Sequence, residues 1–206
     1  MAVRLAILGS GKGSNFVALA DAVADGGLPA TIGLVLSDVA DAGILASAAA
    51  RGLPHQFLAP GPFRTKLDEA AEARYVAALR EARADWILLA GFMRVLKAPL
   101  LNAFPGRIVN IHPSLLPAFP GLDAWRQALD HGVKVTGCTV HLVDQGVDTG
   151  TILGQRTVPV LDDDTPASLH ARIQAAEARL YPAVAGGLIR GEISVQGGRS
   201  RGFVAA

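Results

Sequence analysis

The sequence predicts an α/β protein with a mostly parallel sheet and helices on both faces. Short apolar runs, each stopped by a turn residue, alternate with helix-period segments through roughly the first 110 residues. The runs are continuously apolar rather than alternating, as strands covered on both faces are. Half of the 206 residues are hydrophobic but only 5% are aromatic, so the core is built mostly from Ala, Val, Leu and Ile. The length fits a single domain over 1–206, with halves at 1–110 and 111–206.

Residues 3–8 form the first strand, with one Arg and a stop at Gly9. Residues 14–26 have apolar positions at helical spacing, with Ser14 as cap and Gly26 as stop. Residues 30–36 read as a strand, 41–51 as an alanine-rich helix closed by Gly52, and 55–58 as a short third strand. Pro60-Gly61-Pro62 marks a loop. A long amphipathic helix follows over 65–84, then strands over 86–90 and 107–111, the latter ending at His112-Pro113. Segment 113–121 holds three prolines and is excluded from regular structure. A helix over 122–131 stops at Gly132, and strands over 135–143 and 151–160 flank the loop DQGVDTG. Residues 166–189 form a long helix, and the Gly-rich tail from 191 carries no strong signal.

Nineteen basic residues against eighteen acidic give a net charge of +1, so no general field exists for a nucleic-acid backbone. The single cysteine, Cys138, excludes an internal disulfide framework and a multi-cysteine metal site. No stretch approaches the ~20 apolar residues of a membrane span, and the N-terminus reads as a strand rather than a signal peptide. A cytoplasmic protein acting on small molecules, with no membrane or nucleic-acid partner, is the expectation. Its state as monomer or homodimer is left open.

Gly9-Ser10-Gly11-Lys12-Gly13-Ser14-Asn15 joins the first strand to the first helix. Glycines let the backbone approach a ligand, and amides at a helix start favour a phosphate. A dinucleotide fingerprint needs glycine where Ser14 stands, and a triphosphate loop needs Ser or Thr directly after Gly-Lys. A single phosphate therefore fits better, with Lys12 nearby. The alternative is a turn with no ligand.

Asn110 and His112 end the fifth strand two residues apart, on one face. In open α/β sheets, ligands bind beyond the carboxyl ends of the strands. Asp148 lies in the loop between two later strands, where folding can bring it near. Singly, each has a plain explanation: a hydrogen-bonded loop for Asn110, a satisfied polar side chain for His112, a tight turn for Asp148. Together, an amide donor, an imidazole and a carboxylate suit metal-free acyl transfer through a tetrahedral intermediate.

At these residues the chain resembles the glycinamide ribonucleotide formyltransferase family. The matching stretches are 11–15 (GKGSN), 89–95 (LAGFMRV), 109–117 (VNIHPSLLP), 137–150 (GCTVHLVDQGVDTG) and 172–182 (RIQAAEARLYP). Asn-x-His-Pro-Ser-Leu-Leu-Pro alone marks the broader formyltransferase superfamily, and the GSN loop narrows it. The resemblance implies a Rossmann-like formyltransferase fold, with a phosphate-binding half over 1–110 and a folate-binding and catalytic half over 111–206. It implies that Gly13, Ser14 and Asn15 hold the ribose phosphate, and that Gln174 and Glu177 contact the glycinamide or ribose. Met93, Arg94, Val95 and Leu96 would line the folate pocket, main-chain groups of that segment receiving the pterin. Asn110 would reach the same cofactor. The loop of Asp144, Gln145, Gly146, Val147 and Asp148 would close over it. The formyl donor would be 10-formyltetrahydrofolate, with no metal. Asn110 would donate to the formyl oxygen, His112 would stabilise the oxyanion or supply a proton, and Asp148 would orient His112 or a water.

Two positions depart from the family pattern. Trp125 stands where many members carry histidine, and Lys66 is the basic residue nearest the place of a common arginine. Lysine attracts the folate's glutamate tail without bidentate geometry. His141 reads as structural support, Phe92 and Trp86 as core, Cys138 as a small buried side chain, and Asp162-Asp163-Asp164 as a helix-capping turn. A methionyl-tRNA formyltransferase would carry a further C-terminal domain, and a formyltetrahydrofolate deformylase would begin with a regulatory one. A sugar-nucleotide formyltransferase would have no use for the GSN loop. A non-catalytic folate sensor would not need Asn110, His112 and Asp148 together.

Overall fold

The computed structural model describes residues 2–202. The chain divides into two compact units between Asn110 and Ile111. Its main sheet is mixed and has seven strands. In the first unit β1 (Val3–Leu8), β2 (Ala30–Ser37), β3 (His55–Phe57), β4 (Trp86–Leu89) and β5 (Ile108–His112) run in the order β3-β2-β1-β4-β5. Every neighbouring pair among these five is parallel. Helices α1 (Ser14–Ala24), α2 (Gly43–Ala50), α3 (Glu69–Glu81) and α4 (Ala98–Ala103) fall between them in sequence. Leu5 to Leu8 are all fully buried, which requires cover on both faces of the central strand. Arg4, the lone charge of β1, directs Nε to the Ala82 carbonyl at 2.9 Å, keeping its guanidinium out of that core.

Several element ends shift from their sequence positions for local reasons. Ser14 is the first residue of α1, not its cap; Gly13, at φ 85°, takes the cap position with no side-chain bond. α3 starts later than expected because Asp68 caps it, accepting from the Ala71 amide at 2.6 Å. α4 is too short to show a helical period and is absent from the sequence reading.

In the second unit α5 (Ala124–Asp130) precedes β6 (Val135–Leu142) and β7 (Ile152–Pro159), an antiparallel pair. α6 (Pro166–Ile189) has the predicted bounds. Its cap is Thr165, in a reciprocal capping box with Ser168, rather than the acidic run before it. Asp164 instead takes a bidentate bond from Arg172, with both distances 2.8 Å. That guanidinium holds the Asp164 carboxyl well below the usual carboxylate range. The tail, which carried no strong signal, forms the hairpin β8 (Ser194–Gln196) and β9 (Arg199–Arg201). Gly197 and Gly198, at φ 57° and 75°, supply the two positive angles of a two-residue hairpin turn.

Candidate active site

The catalytic candidates of the second unit meet where β5 runs into the proline segment. Prolines cannot complete a ladder, so side chains from β6 and β7 hold this segment instead. Thr139 Oγ1 donates to the Ser114 carbonyl at 2.7 Å and accepts from the Leu116 amide at 3.0 Å. Gln155 Nε2 donates to the Leu116 carbonyl at 2.9 Å. Phe119, at φ 53°, packs its ring on His131 and presents its carbonyl to His112 Nε2 at 2.9 Å. A carbonyl only accepts, so Nε2 carries the hydrogen and Nδ1 faces Asp148 Oδ2 at 3.3 Å.

Asp148 sits at φ 56°, a left-handed conformation that Asp tolerates better than most residues. The Gly121 amide donates to Oδ2 at 2.8 Å, while Oδ1 lies 3.7 Å from His141 Nε2. His141, read from sequence as structural support, thus faces the same carboxylate. Its Nδ1 donates to the Leu142 carbonyl at 2.8 Å, and burial holds its imidazole below the usual histidine range. The loop carrying Asp148 is braced by Asp144, whose Oδ1 accepts from the Gly146 amide and the Thr149 hydroxyl at 3.0 and 2.7 Å. Gly150 must be glycine, since a Cβ there would lie 1.7 Å from the Leu142 carbonyl oxygen. Val147 is 52% exposed at the loop tip. Asn110 stands two residues before His112 on β5, as the sequence requires.

Burial also lowers His170, whose ring stacks on Trp125 with centroids 3.7 Å apart, tying α5 to α6. Folding therefore selects neutral rings at His141 and His170. The unfolded rings titrate near ~6.5, so as pH falls through that value the unfolded chain takes up protons that the folded chain does not. The thermal midpoint is expected to hold above pH ~6.5 and to fall between there and pH ~5.5. A midpoint that stays flat over this range contradicts burial of neutral rings.

Of the substrate-contact candidates on α6, Glu177 is buried and Gln174 half-buried. Three residues apart, they share a helix face. In the first unit the glycine loop is held by main-chain bonds from Gly9 to Leu36, Ser10 to Gly91 and Ile44 to Gly11, each 3.0 Å. Gly13 needs its positive φ and packs tightly, since a Cβ there would lie 2.9 Å from Ile44 Cα. Ser14 and Asn15 open α1, where amides have no intrahelical acceptor.

Alternate amides of the segment after β4 are taken inward. Met93 donates to Ser10 Oγ at 2.8 Å, Val95 to the Thr65 carbonyl at 2.9 Å, and Lys97 to Glu72 Oε1 at 2.6 Å. Leu96 is buried and Met93 is 56% exposed. Arg94 turns its guanidinium inward onto Asp38, with Nε 2.6 Å from Oδ2. Lys66 bridges to Val95 through its main chain and lays its ammonium over the Phe63 ring, 4.3 Å from the centroid. Phe92 is core, as read, and burial pushes the Cys138 thiol up to about 12. Among the described residues no group of three or more His, Cys, Asp and Glu is arranged to hold a metal ion, and no helix is long and apolar enough to cross a membrane.

The family model described as formyl transferase matches residues 3–185 of this mostly parallel α/β chain. The phosphoribosylglycinamide formyltransferase of Bacillus subtilis is 40% identical over 88% of this chain and 92% of its own length. Glycinamide ribonucleotide transformylase 1 from Symbiobacterium toebii superposes with a TM-score of 0.93 at 44% identity, over 97% of this chain and 93% of that one. The trifunctional purine biosynthetic protein adenosine-3 of Drosophila melanogaster is 46% identical over 91% of this chain, which spans only 14% of that protein's length. The chain belongs to the phosphoribosylglycinamide formyltransferase family.

Proposed function

We propose that this chain moves the formyl group of 10-formyltetrahydrofolate onto the amine of glycinamide ribonucleotide, a step of purine synthesis. The observation that carries the reading is His112, held between the Phe119 carbonyl and Asp148, with Asn110 two residues upstream on the same strand. A ring so held is oriented to stabilise negative charge on the formyl oxygen or to supply a proton. Asn110 donates to that oxygen, and Asp148 keeps the ring oriented and takes part in removing the amine proton. Gly13, Ser14 and Asn15 receive the ribose phosphate, and Gln174 and Glu177 the glycinamide or ribose.

Folate supplies the activated formyl group. The residues present fit it: with the amides of Met93, Val95 and Lys97 taken inward, the main-chain groups of Arg94 and Leu96 are the ones offered to the pterin. In this reading Asn110 and the loop Asp144, Gln145, Gly146, Val147 and Asp148 are the remaining folate contacts. Lys66 serves the glutamate tail as a point charge, not as a fork.

The test is formyl transfer from 10-formyltetrahydrofolate with glycinamide ribonucleotide, water alone or charged initiator tRNA as acceptor. Turnover with the ribonucleotide alone is expected; donor consumption without acceptor identifies a hydrolase, and no consumption points to a sensor. For the phosphate loop, Gly13→Val is expected to raise KM for the ribonucleotide at least about tenfold, because a β-branched residue is strained at positive φ and meets Ile44. Donor KM is expected to stay as in the parent. An unchanged ribonucleotide KM removes the loop from the site.

A further inference from the structure

Three segments of the first unit meet at one buried carboxylate, and a fourth braces its arginine. Asp38, just after β2, has a side chain only 1% exposed. Its Oδ1 accepts from Ser10 Oγ at 2.5 Å, and its Oδ2 from Arg94 Nε at 2.6 Å. Ser10 lies in the glycine loop, and its hydroxyl oxygen accepts in turn from the Met93 amide at 2.8 Å. Arg94 Nη1 donates to the carbonyls of Phe63 and Arg64 at 2.6 and 2.5 Å, in the loop before α3. Both carboxylate oxygens are bonded, so the pair is anchored on every side, as a stable buried ion pair must be.

We propose that Ser10, Asp38 and Arg94 are positioning residues for the formyl donor: they set the main chain of Met93–Val95 through the hydroxyl of the glycine loop. The inference rests on the reading of that segment as the folate site. A heterocycle recognised by main-chain groups needs them within ~0.5 Å of the productive position, which the segment's own packing does not ensure with Met93 half-exposed. Removing the Ser10 hydroxyl leaves the Met93 amide and Asp38 Oδ1 each without its partner, so the segment must shift to recover them. The glycine loop itself keeps its shape, because its main-chain bonds to Leu36 and Gly91 do not involve the hydroxyl. The effect therefore falls on the donor and spares the phosphate substrate.

The experiment is steady-state kinetics on the full chain with both substrates varied, for the parent, Ser10→Ala and Ser10→Thr. In Ser10→Ala, donor KM is expected to rise about tenfold while kcat and ribonucleotide KM stay within about twofold, and Ser10→Thr restores donor KM. Binding of tetrahydrofolate by calorimetry gives the same answer without turnover. It extends to the neutral pair Asp38→Asn with Arg94→Gln, which removes both charges together and is expected to bind about tenfold more weakly. A merely structural role lowers the thermal midpoint or kcat and leaves donor KM at the parent value; that result overturns the proposal. A parent chain that neither binds tetrahydrofolate nor transfers formyl overturns the functional reading beneath it, whatever the variants do.

Discussion

His112→Ala is expected to lower kcat by about three orders of magnitude, the combined scale of one preorganised donor and one proton-transfer group. His112 is 5% exposed, and the alanine variant leaves the Phe119 carbonyl and Asp148 Oδ2 without the donor between them. The Gly121 amide still holds Asp148, and Thr139 and Gln155 still hold the proline segment, so the scaffold persists. Tetrahydrofolate should therefore bind nearly as in the parent while turnover disappears. Single-turnover formyl transfer, with binding measured separately, checks both halves. A kcat within tenfold of the parent would remove His112 from the chemistry.

Asp148→Asn comes next, with an expected loss of about a hundredfold or more in kcat and little change in either KM. Asparagine is among the few side chains that accept the φ of 56° found here, so the backbone has no reason to move. What changes is charge. An amide can still accept from Gly121, but it offers His112 Nδ1 no anion. In this reading the ring and the carboxylate act as a unit. For the same reason the double variant with His112→Ala should be little worse than His112→Ala alone. Additive losses would show two independent roles. Parent-level turnover would leave Asp148 a structural loop residue.

Much of this arrangement is visible in the chain itself, because periodicity and stop signals act locally. β1 reads directly from an unbroken apolar run ended by glycine, and α6 from twenty-four residues of helical spacing with a cap in front. Asn110 and His112 are two residues apart on one strand, so their shared face follows from the pleat. Asp148 is visible only as a carboxylate in a Gly-rich loop between two later strands, and only folding brings it against His112. His141 was passed over because a histidine inside a strand pattern looks the same whether it faces core or carboxylate. The Ser10–Asp38–Arg94 network leaves no trace in spacing, since its members are 28 and 56 residues apart. The hairpin at 194–201 was missed for a different reason: a strand pair of three residues each is too short for its alternation to rise above a Gly-rich background.

The strand order β3-β2-β1-β4-β5 has a consequence for how the chain is made. β1 pairs on one side with β2, but on the other side Leu5 waits for Trp86. On a ribosome adding ~5–20 residues per second, the intervening roughly eighty residues take about 4–16 s to appear. For that time the most apolar strand of the nascent protein has an open edge, the state in which strands recruit wrong neighbours. α1 and β2 emerge first and cover part of it. The early burden on cellular holding factors, and the sensitivity of yield to translation speed, should therefore lie in the stretch before β4 is released.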